Sequence, residues 1–262
     1  MENLLYIFQK INTNIFKDPH ALMSNISRVI QHLQSKLSDG TEDSRKTLTP
    51  VPANNGDSLY KDDDNAYWRV YYFEEGAVTY EIIKDTNTAH NVAKSFGEFQ
   101  KLLVDIPGAR LNETIVDFHN TPKRYTALEE AIEVDIVNRA KDVKEEIDFI
   151  KSRKHLSGKL FDLYKKREIQ ERICHYYTKL NNLMIDTKTG EGICVIDLDT
   201  VMPGFVAFDF GDMIRTSTSP AAEDERDVSK VSMQMHIFKA LAKGYLSSAG
   251  TFLSKSERET LF

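Results

Sequence analysis

Five polar residues crowd into one short stretch of this chain, and their types suit phosphate and a divalent metal. Residues 173–186 read I-C-H-Y-Y-T-K-L-N-N-L-M-I-D, and residues 193–200 read I-C-V-I-D-L-D-T. Asn182 lies seven residues after His175, and Asp197 lies fifteen beyond Asn182. An amide oxygen and a carboxylate are hard ligands of the kind magnesium takes. In phosphoryl transfer a loop Asn and a separate Asp after the next strand hold the ions that bridge phosphate oxygens. Lys179 is a compact positive charge that could reach the transferring phosphate. Taken singly, Asn182 and Asp197 are ordinary turn and strand-end residues; their joint spacing suits that role. Asp199 reads equally as support for that site or as a cap. His175 reads as a hydrogen-bonding residue of the loop rather than an acid catalyst.

These residues need a scaffold, and the flanking sequence supplies one. Two apolar runs, 183–185 and 193–196, surround the turn T-K-T-G-E-G, which is the pattern of a β-hairpin. A short strand over 172–175 enters it. A helix over 209–216 follows, with Asp209 and Asp212 read as its caps in preference to a direct catalytic role. Upstream, the pattern predicts a strand over 4–11 and a helix from Pro19 to about Leu37, striped by Ile26, Val29, Ile30 and Leu33. A polar break at 38–43, a strand near 47–51 and a hairpin of 58–61 with 67–73 come next, with Trp68 expected in the core. The acidic run Asp62–Asp64 reads as a solvated turn, because it lacks the further spaced oxygens of a calcium loop. Glu74, Glu75 and Gly76 form a linker. An extended piece over 78–83 and helices over 88–104, 121–135, 137–151, 156–166 and 226–247 follow. No terminal element is expected at 259–262. The fold class is α+β in two lobes: a β-rich part over 1–75 and a larger, mainly helical part over 76–262. A cleft at such a junction is a common ligand site.

Composition narrows the partners. The 262 residues suffice to bury a real core, and 41% apolar with 28% charged residues is a folded composition. A net charge of -6 argues against general nucleic-acid binding, though a local basic patch can still take phosphate. Cys174 and Cys194 are too few for a disulfide framework, so a cytoplasmic, reducing setting is expected. The N-terminus M-E-N-L-L-Y-I-F-Q-K is no signal peptide. No apolar run approaches the roughly 18 residues of a membrane span. The expected partner is a small molecule, and oligomeric state is open.

The run H-Y-Y-T-K-L-N-N compares with the H-x-D-x-K-x-x-N pattern of protein-kinase-like phosphotransfer. With C-V-I-D-L-D-T-V-M-P-G, D-F-G-D-M-I-R, Y-W-R-V-Y-Y-F-E-E-G-A and F-H-N-T-P-K-R-Y, the chain resembles the aminoglycoside phosphotransferase superfamily. It is most similar to the N-acetylhexosamine 1-kinase-like branch, some of whose relatives are labelled mucin desulfatase. The likeness runs from about Tyr6 to Arg215. It implies a two-lobed, protein-kinase-like fold and phosphorylation of a small hydroxylated substrate by ATP with magnesium. In this branch the acceptor is the anomeric hydroxyl of an N-acetylated hexosamine. Asn182 and Asp197 would hold magnesium, with Asp199 beside them, and Lys179 would meet the γ-phosphate. Lys10 would meet the α/β-phosphates, and Phe73, Glu74 and Glu75 would touch the adenine through backbone groups. His119, Lys123 and Arg124, at a helix entrance, would contact the acceptor or support the cleft; the plainer reading is a capped helix start with solvated charges. The desulfatase label finds no support: neither Cys174 nor Cys194 opens the C-x-P/A-x-R segment of a formylglycine sulfatase.

Three departures from the family pattern stand out. Tyr177 occupies the position of the family Asp base, and a phenol with an ordinary pKa of about 10 is a poor base at neutral pH. No glycine precedes Gly40, so the phosphate-covering turn and its strand pair are missing from an incomplete small lobe. Ser24 or Asn25 would face Lys10 where the family has a Glu. The family also continues past residue 262, so the chain reads as truncated at both ends. The expectation is a phosphotransferase of impaired activity. The alternatives are a non-catalytic kinase-like binding protein or a decayed copy.

Overall fold

Alternation along residues 67–72 sets the first sheet. In the computed structural model, which describes residues 4–37, 44–83 and 85–262, β4 (Tyr67–Tyr72) is its central strand. β1 (Tyr6–Lys10) pairs antiparallel along one side of β4; β2 (Pro50–Val51) and β3 (Tyr60–Lys61) pair antiparallel with it as well, giving the order β1-β4-β2. Residues 62–65 make the expected turn: the Asp62 carboxylate accepts from Ala66 N at 2.8 Å, and Asn65 takes a left-handed φ of 63°. Trp68 does not join the core. It is half-buried, its Nε1 donating to Asp62 at 2.7 Å, while the alternation turns Arg69 and Tyr71 inward. The polar break expected over 38–43 lies outside the described residues.

α1 (Pro19–Leu37) packs its predicted stripe inward, with Leu22, Ile26, Val29, Ile30 and Leu33 all buried. Asp18 accepts from His20 N and Ala21 N at 3.0 and 2.9 Å, so Pro19 opens the helix behind a capping carboxylate. Phe73 to Gly76 then lead to β5 (Ala77–Val78), which joins a second sheet, β5-β7-β8, built on β7 (Leu183–Asp186) and β8 (Gly192–Val195). The hairpin turn closes on Asp186, which accepts from Lys188 N and Thr189 N at 2.8 Å each and pairs with Arg45 at 2.8 Å. β6 (Arg172–Cys174) and β9 (Met202–Gly204) form a third, two-stranded ladder.

α2 (Thr86–Leu102), capped by Asp85, and α8 (Met235–Ala249) meet backbone to backbone. A methyl on Gly97 would stand 2.8 Å from the Tyr245 carbonyl oxygen, and one on Gly244 would collide with the His90 carbonyl. α7 (Val206–Ser217) starts three residues before the expected boundary. The helix expected over 226–247 is confined to α8. Residues 228–230 form one short turn capped by Asp227, and Gln234 N is tied to Thr218 O at 2.9 Å. α9 (Lys255–Glu259) follows, where no element was expected.

Packing divides the chain into two compact units: residues 1–114 with 172–262, and residues 115–171. The second unit holds α3 (Thr121–Val134), α4 (Lys144–Ser152), α5 (Lys154–Ser157) and α6 (Lys159–Lys165). The helix expected over 137–151 starts late, because Asp135 and Asn138 take left-handed φ values of 34° and 52°. The one expected over 156–166 breaks at Gly158.

Candidate active site

The loop 175–182 hangs on one buried carboxylate. Asp209 sits in the first turn of α7, but no side chain caps that helix. Asp209 Oδ2 accepts from His175 N at 2.9 Å and Gln100 Nε2 at 2.6 Å, and Oδ1 accepts from Tyr176 N at 2.8 Å. Its backbone carbonyl accepts from the Thr178 hydroxyl at 2.6 Å. The expected helix cap is therefore a loop anchor. Burial pushes its carboxyl up to about 7, against the pull of the three N–H donors. Tyr176 is held at φ 67°, a conformation that costs a non-glycine residue on the order of 1 kcal/mol or more. Its hydroxyl donates to Pro203 O at 2.7 Å and fills the space that a side chain at Gly204 would need.

His175 is fully buried. Nε2 lies 2.8 Å from Ile196 O, and Tyr177 N lies 3.3 Å from Nδ1. Only the neutral ring protonated at Nε2 satisfies both contacts. Burial agrees, lowering its pKa to about 4. His175 thus ties the loop to the end of β8 as a hydrogen-bonding residue.

The same strand end brings the metal candidates together. Ile196 N donates to Asn182 O at 2.9 Å, so Asn182 and Asp197 flank one backbone bond across the hairpin. Asn182 Nδ2 donates to Tyr177 O at 2.7 Å, which leaves its amide oxygen as the atom for a cation. Asp197 takes a left-handed φ of 59° and is exposed, so a cation can reach it. The surrounding protein and the Asp199 charge raise its pKa, against Arg69. A cation would relieve that cost. Among the described residues no three His, Cys, Asp or Glu side chains form a metal cluster.

Asp199 is engaged differently. It forms an ion pair with Arg69, which is 7% exposed on β4. Arg69 Nε donates to Gln9 at 2.9 Å, and its guanidinium lies 5.6 Å from the centre of the Tyr71 ring. Lys10 occupies the other face of the same sheet, its Nζ 5.8 Å from the Trp68 ring centre. The cation set beside the acidic pair is therefore Arg69, and Gln9 is the β1 side chain turned toward it. No local pattern marks this: Arg69 and Tyr71 share one face of a strand, and only packing makes that face the inner one. Asn25 is also committed elsewhere, its Nδ2 donating to Asn112 O at 2.8 Å and Val201 O at 3.1 Å.

At the other end of the loop, Lys179 forms an ion pair with Glu223 and lies 4.5 Å from the Tyr177 ring centre. Glu223 also pairs with Arg215 at 2.8 Å, and Arg215 pairs with Asp212 at 2.8 Å. Neither Arg215 nor Glu223 stood out in the sequence, because the contact closes over 44 residues. Phe73, Glu74 and Glu75 follow β4, with Phe73 N donating to Leu5 O at 2.9 Å. His119, Lys123 and Arg124 gather at the entrance of α3 in the second unit. Asn120 caps that helix, Lys123 pairs with Asp117 at 2.5 Å, and Arg124 Nε donates to Phe118 O at 3.0 Å.

Comparison with solved structures agrees with this architecture. Spectinomycin phosphotransferase APH(9)-Ia, in complex with ADP and spectinomycin, is 13% identical at a TM-score of 0.59, covering 99% of this chain and 72% of its own. Amicoumacin kinase hAmiN, in complex with AMP-PNP, Ca2+ and its ligand, is 12% identical at a TM-score of 0.58, covering 98% and 79%. A microcompartment-associated aminopropanol kinase is 16% identical at a TM-score of 0.56, covering 99% and 74%. These likenesses show a protein-kinase-like α+β fold. The model of the phosphotransferase enzyme family matches residues 16–231, which include the whole loop, both aspartates and Arg69. With that match over most of its length, the chain belongs to the phosphotransferase enzyme family.

Proposed function

We propose that this protein transfers the γ-phosphoryl group of ATP, with magnesium, to a hydroxyl of a small molecule, most closely an N-acetylated hexosamine at its anomeric hydroxyl. The observation that carries the reading is the Asn182–Asp197 pair, held side by side by the Ile196–Asn182 backbone bond. Asn182 and Asp197 would hold magnesium, which when bound neutralises charge on the phosphates. Lys179 would meet the γ-phosphate. Arg69 keeps Asp199 paired, so Asp197 is the carboxylate left for the ion. The linker Phe73–Glu75 remains the proposed nucleotide contact, with residues 1–75 as the nucleotide lobe and 76–262 as the substrate lobe; Lys10, on the sheet face opposite Arg69, is no phosphate contact in this reading. His119, Lys123 and Arg124 are proposed for the acceptor on the family likeness, with Lys123 and Arg124 exposed and His119 half-buried beside them.

Tyr177 stands where a carboxylate would orient the acceptor hydroxyl. Loss of a general base lowers rates by about 10²–10⁴, so slow turnover is expected. The test is ADP release with a panel of hexosamines and amino alcohols, using the natural chain and Tyr177→Asp. Acceptor-dependent ADP release that rises in Tyr177→Asp supports the reading; none from either protein overturns it. Tyr177 also favours a second reading, a kinase-like protein that binds a ligand without chemistry. Stabilisation by ATP that requires magnesium, with no turnover in either protein, would select it. The setting proposed is cytosolic, on two free buried cysteines. Among the described residues no helix is long and apolar enough to cross a membrane.

A further inference from the structure

The ion pairs around Lys179 have an arrangement that the phosphotransfer reading, on which this inference rests, does not by itself require. Lys179 is largely withdrawn from solvent, its side chain 17% exposed, so its ammonium needs an anion. That anion is Glu223, which is itself half open to solvent at 49%. One Glu223 oxygen meets Lys179 and the other meets Arg215 Nη1 at 2.8 Å. The two cations therefore converge on the two oxygens of one carboxylate. Arg215 does not reach there by chance rotation. Its Nη2 donates to Asp212 Oδ1 at 2.8 Å, and Asp212, 9% exposed, fixes the guanidinium so that Nη1 is left for Glu223. The Asp212 Oδ2 atom is buried without a hydrogen-bond partner.

We propose that Lys179 and Arg215 form a two-cation clamp for the transferring phosphate, and that Glu223 is the internal anion that phosphate displaces. The exchange is favourable on charge. An ion pair as exposed as Arg215 with Glu223 is worth little, while a phosphate brings more charge and more oxygens to the same two donors. The clamp adjoins Tyr177, whose ring lies 4.5 Å from Lys179 Nζ, so a phosphate held there sits beside the residue at the base position. Glu223 thereby keeps the partly buried Lys179 paired when no phosphate is present.

The test uses the full chain at low ionic strength, with calorimetric titration of inorganic tripolyphosphate, ATP with magnesium, and adenosine. Glu223→Gln is expected to bind tripolyphosphate and ATP three- to tenfold more tightly, with adenosine unchanged. Arg215→Met is expected to lose about tenfold for both and to cancel the gain in the double variant, and Arg215→Lys to restore part of it. Glu225→Gln makes the same change of charge nearby and is expected to have no such effect. Equal gains in Glu223→Gln and Glu225→Gln, or no gain in Glu223→Gln, overturn the clamp. ATP binding indifferent to all these variants overturns the clamp but leaves the phosphotransferase reading standing. The expected pattern with tripolyphosphate, and no binding of ATP, keeps the clamp and overturns the nucleotide reading. Binding of neither phosphate ligand overturns both.

Discussion

Asp209 and His175 are buried in contact and lean in opposite directions with pH. The His175 pKa falls from 6.5 to about 4, so the unfolded chain takes up the proton first and acidification between those values destabilises the fold. The Asp209 pKa rises from 3.8 to about 7, so the folded chain takes up the proton first and the same acidification stabilises it. Each effect amounts to roughly 3 kcal/mol or somewhat more, and they nearly cancel between about pH 4 and 6.5. Denaturant unfolding across that range should be flat in the natural chain on this account. Asp209→Asn should expose the histidine slope, losing stability as pH falls; His175→Gln should expose the opposite slope. A flat profile in both variants would show that neither group is as perturbed as its burial implies. For the proposed metal site, Asp197→Asn and Asn182→Ala should each remove the magnesium-dependent part of the thermal stabilisation by ATP while leaving the melting temperature of the free protein within a few degrees.

At the scale of elements, one ion pair ties the first sheet to the turn that follows β8. Arg69 on β4 and Asp199 are both largely withdrawn from solvent. Removing one partner of such a pair leaves a charge without compensation, which costs about 3–5 kcal/mol. Arg69→Met should therefore lower stability by that order in equilibrium unfolding. Arg69→Met with Asp199→Asn should recover much of it, and a double variant no better than the single would disprove the coupling. The α2 and α8 helices give a second case. A methyl on Gly244 would collide with a backbone carbonyl of α2, which cannot swing aside as a side chain can. Overpacking of this kind typically costs about 1–3 kcal/mol, and Gly244→Ala should show at least that in thermal or chemical melts. Neutral behaviour would mean that the helices separate easily.

Across the whole molecule, the last helix is fastened to the strand that enters the loop. Glu257 on α9 is 2% exposed and binds Arg172 of β6 through both oxygens, at 2.6 and 2.9 Å, while completing a capping box with Ser254. A contact spanning 85 residues thus supports the base of the loop 175–182. Glu257→Gln should destabilise the chain by about 3–5 kcal/mol and increase hydrogen exchange at residues 172–176. If exchange there is unchanged, the fastening is local to α9.

Local signals carried much of this protein. Asp18 before Pro19, the striped helix behind it, the two hairpins and the spacing of His175, Asn182 and Asp197 are short-range patterns, because capping, periodicity and turn chemistry act within a few residues. The S-x-x-E box at Ser254 is equally local and legible in the sequence. The family likeness is a matter of such motifs, and it holds at the level of the phosphotransferase enzyme family. What the sequence left open depends on which residues the chain's return brings together. Trp68, expected in the core, stands outside it and Arg69 takes the inward face, because a strand has two faces and only packing selects the inner one. Asp209 reads as a cap until β6 and the loop close onto it, since burial turns a short acidic side chain into an acceptor for backbone N–H groups 33 and 34 residues away. Arg69 with Asp199, and Glu223 with Lys179 and Arg215, depend on tertiary closure, because charge attracts through space and leaves no period in the sequence. The sequence by itself determined the family and the spacing of His175, Asn182 and Asp197, because motifs are local; the tertiary structure decided which cations stand beside them, because charges meet only when the chain folds back.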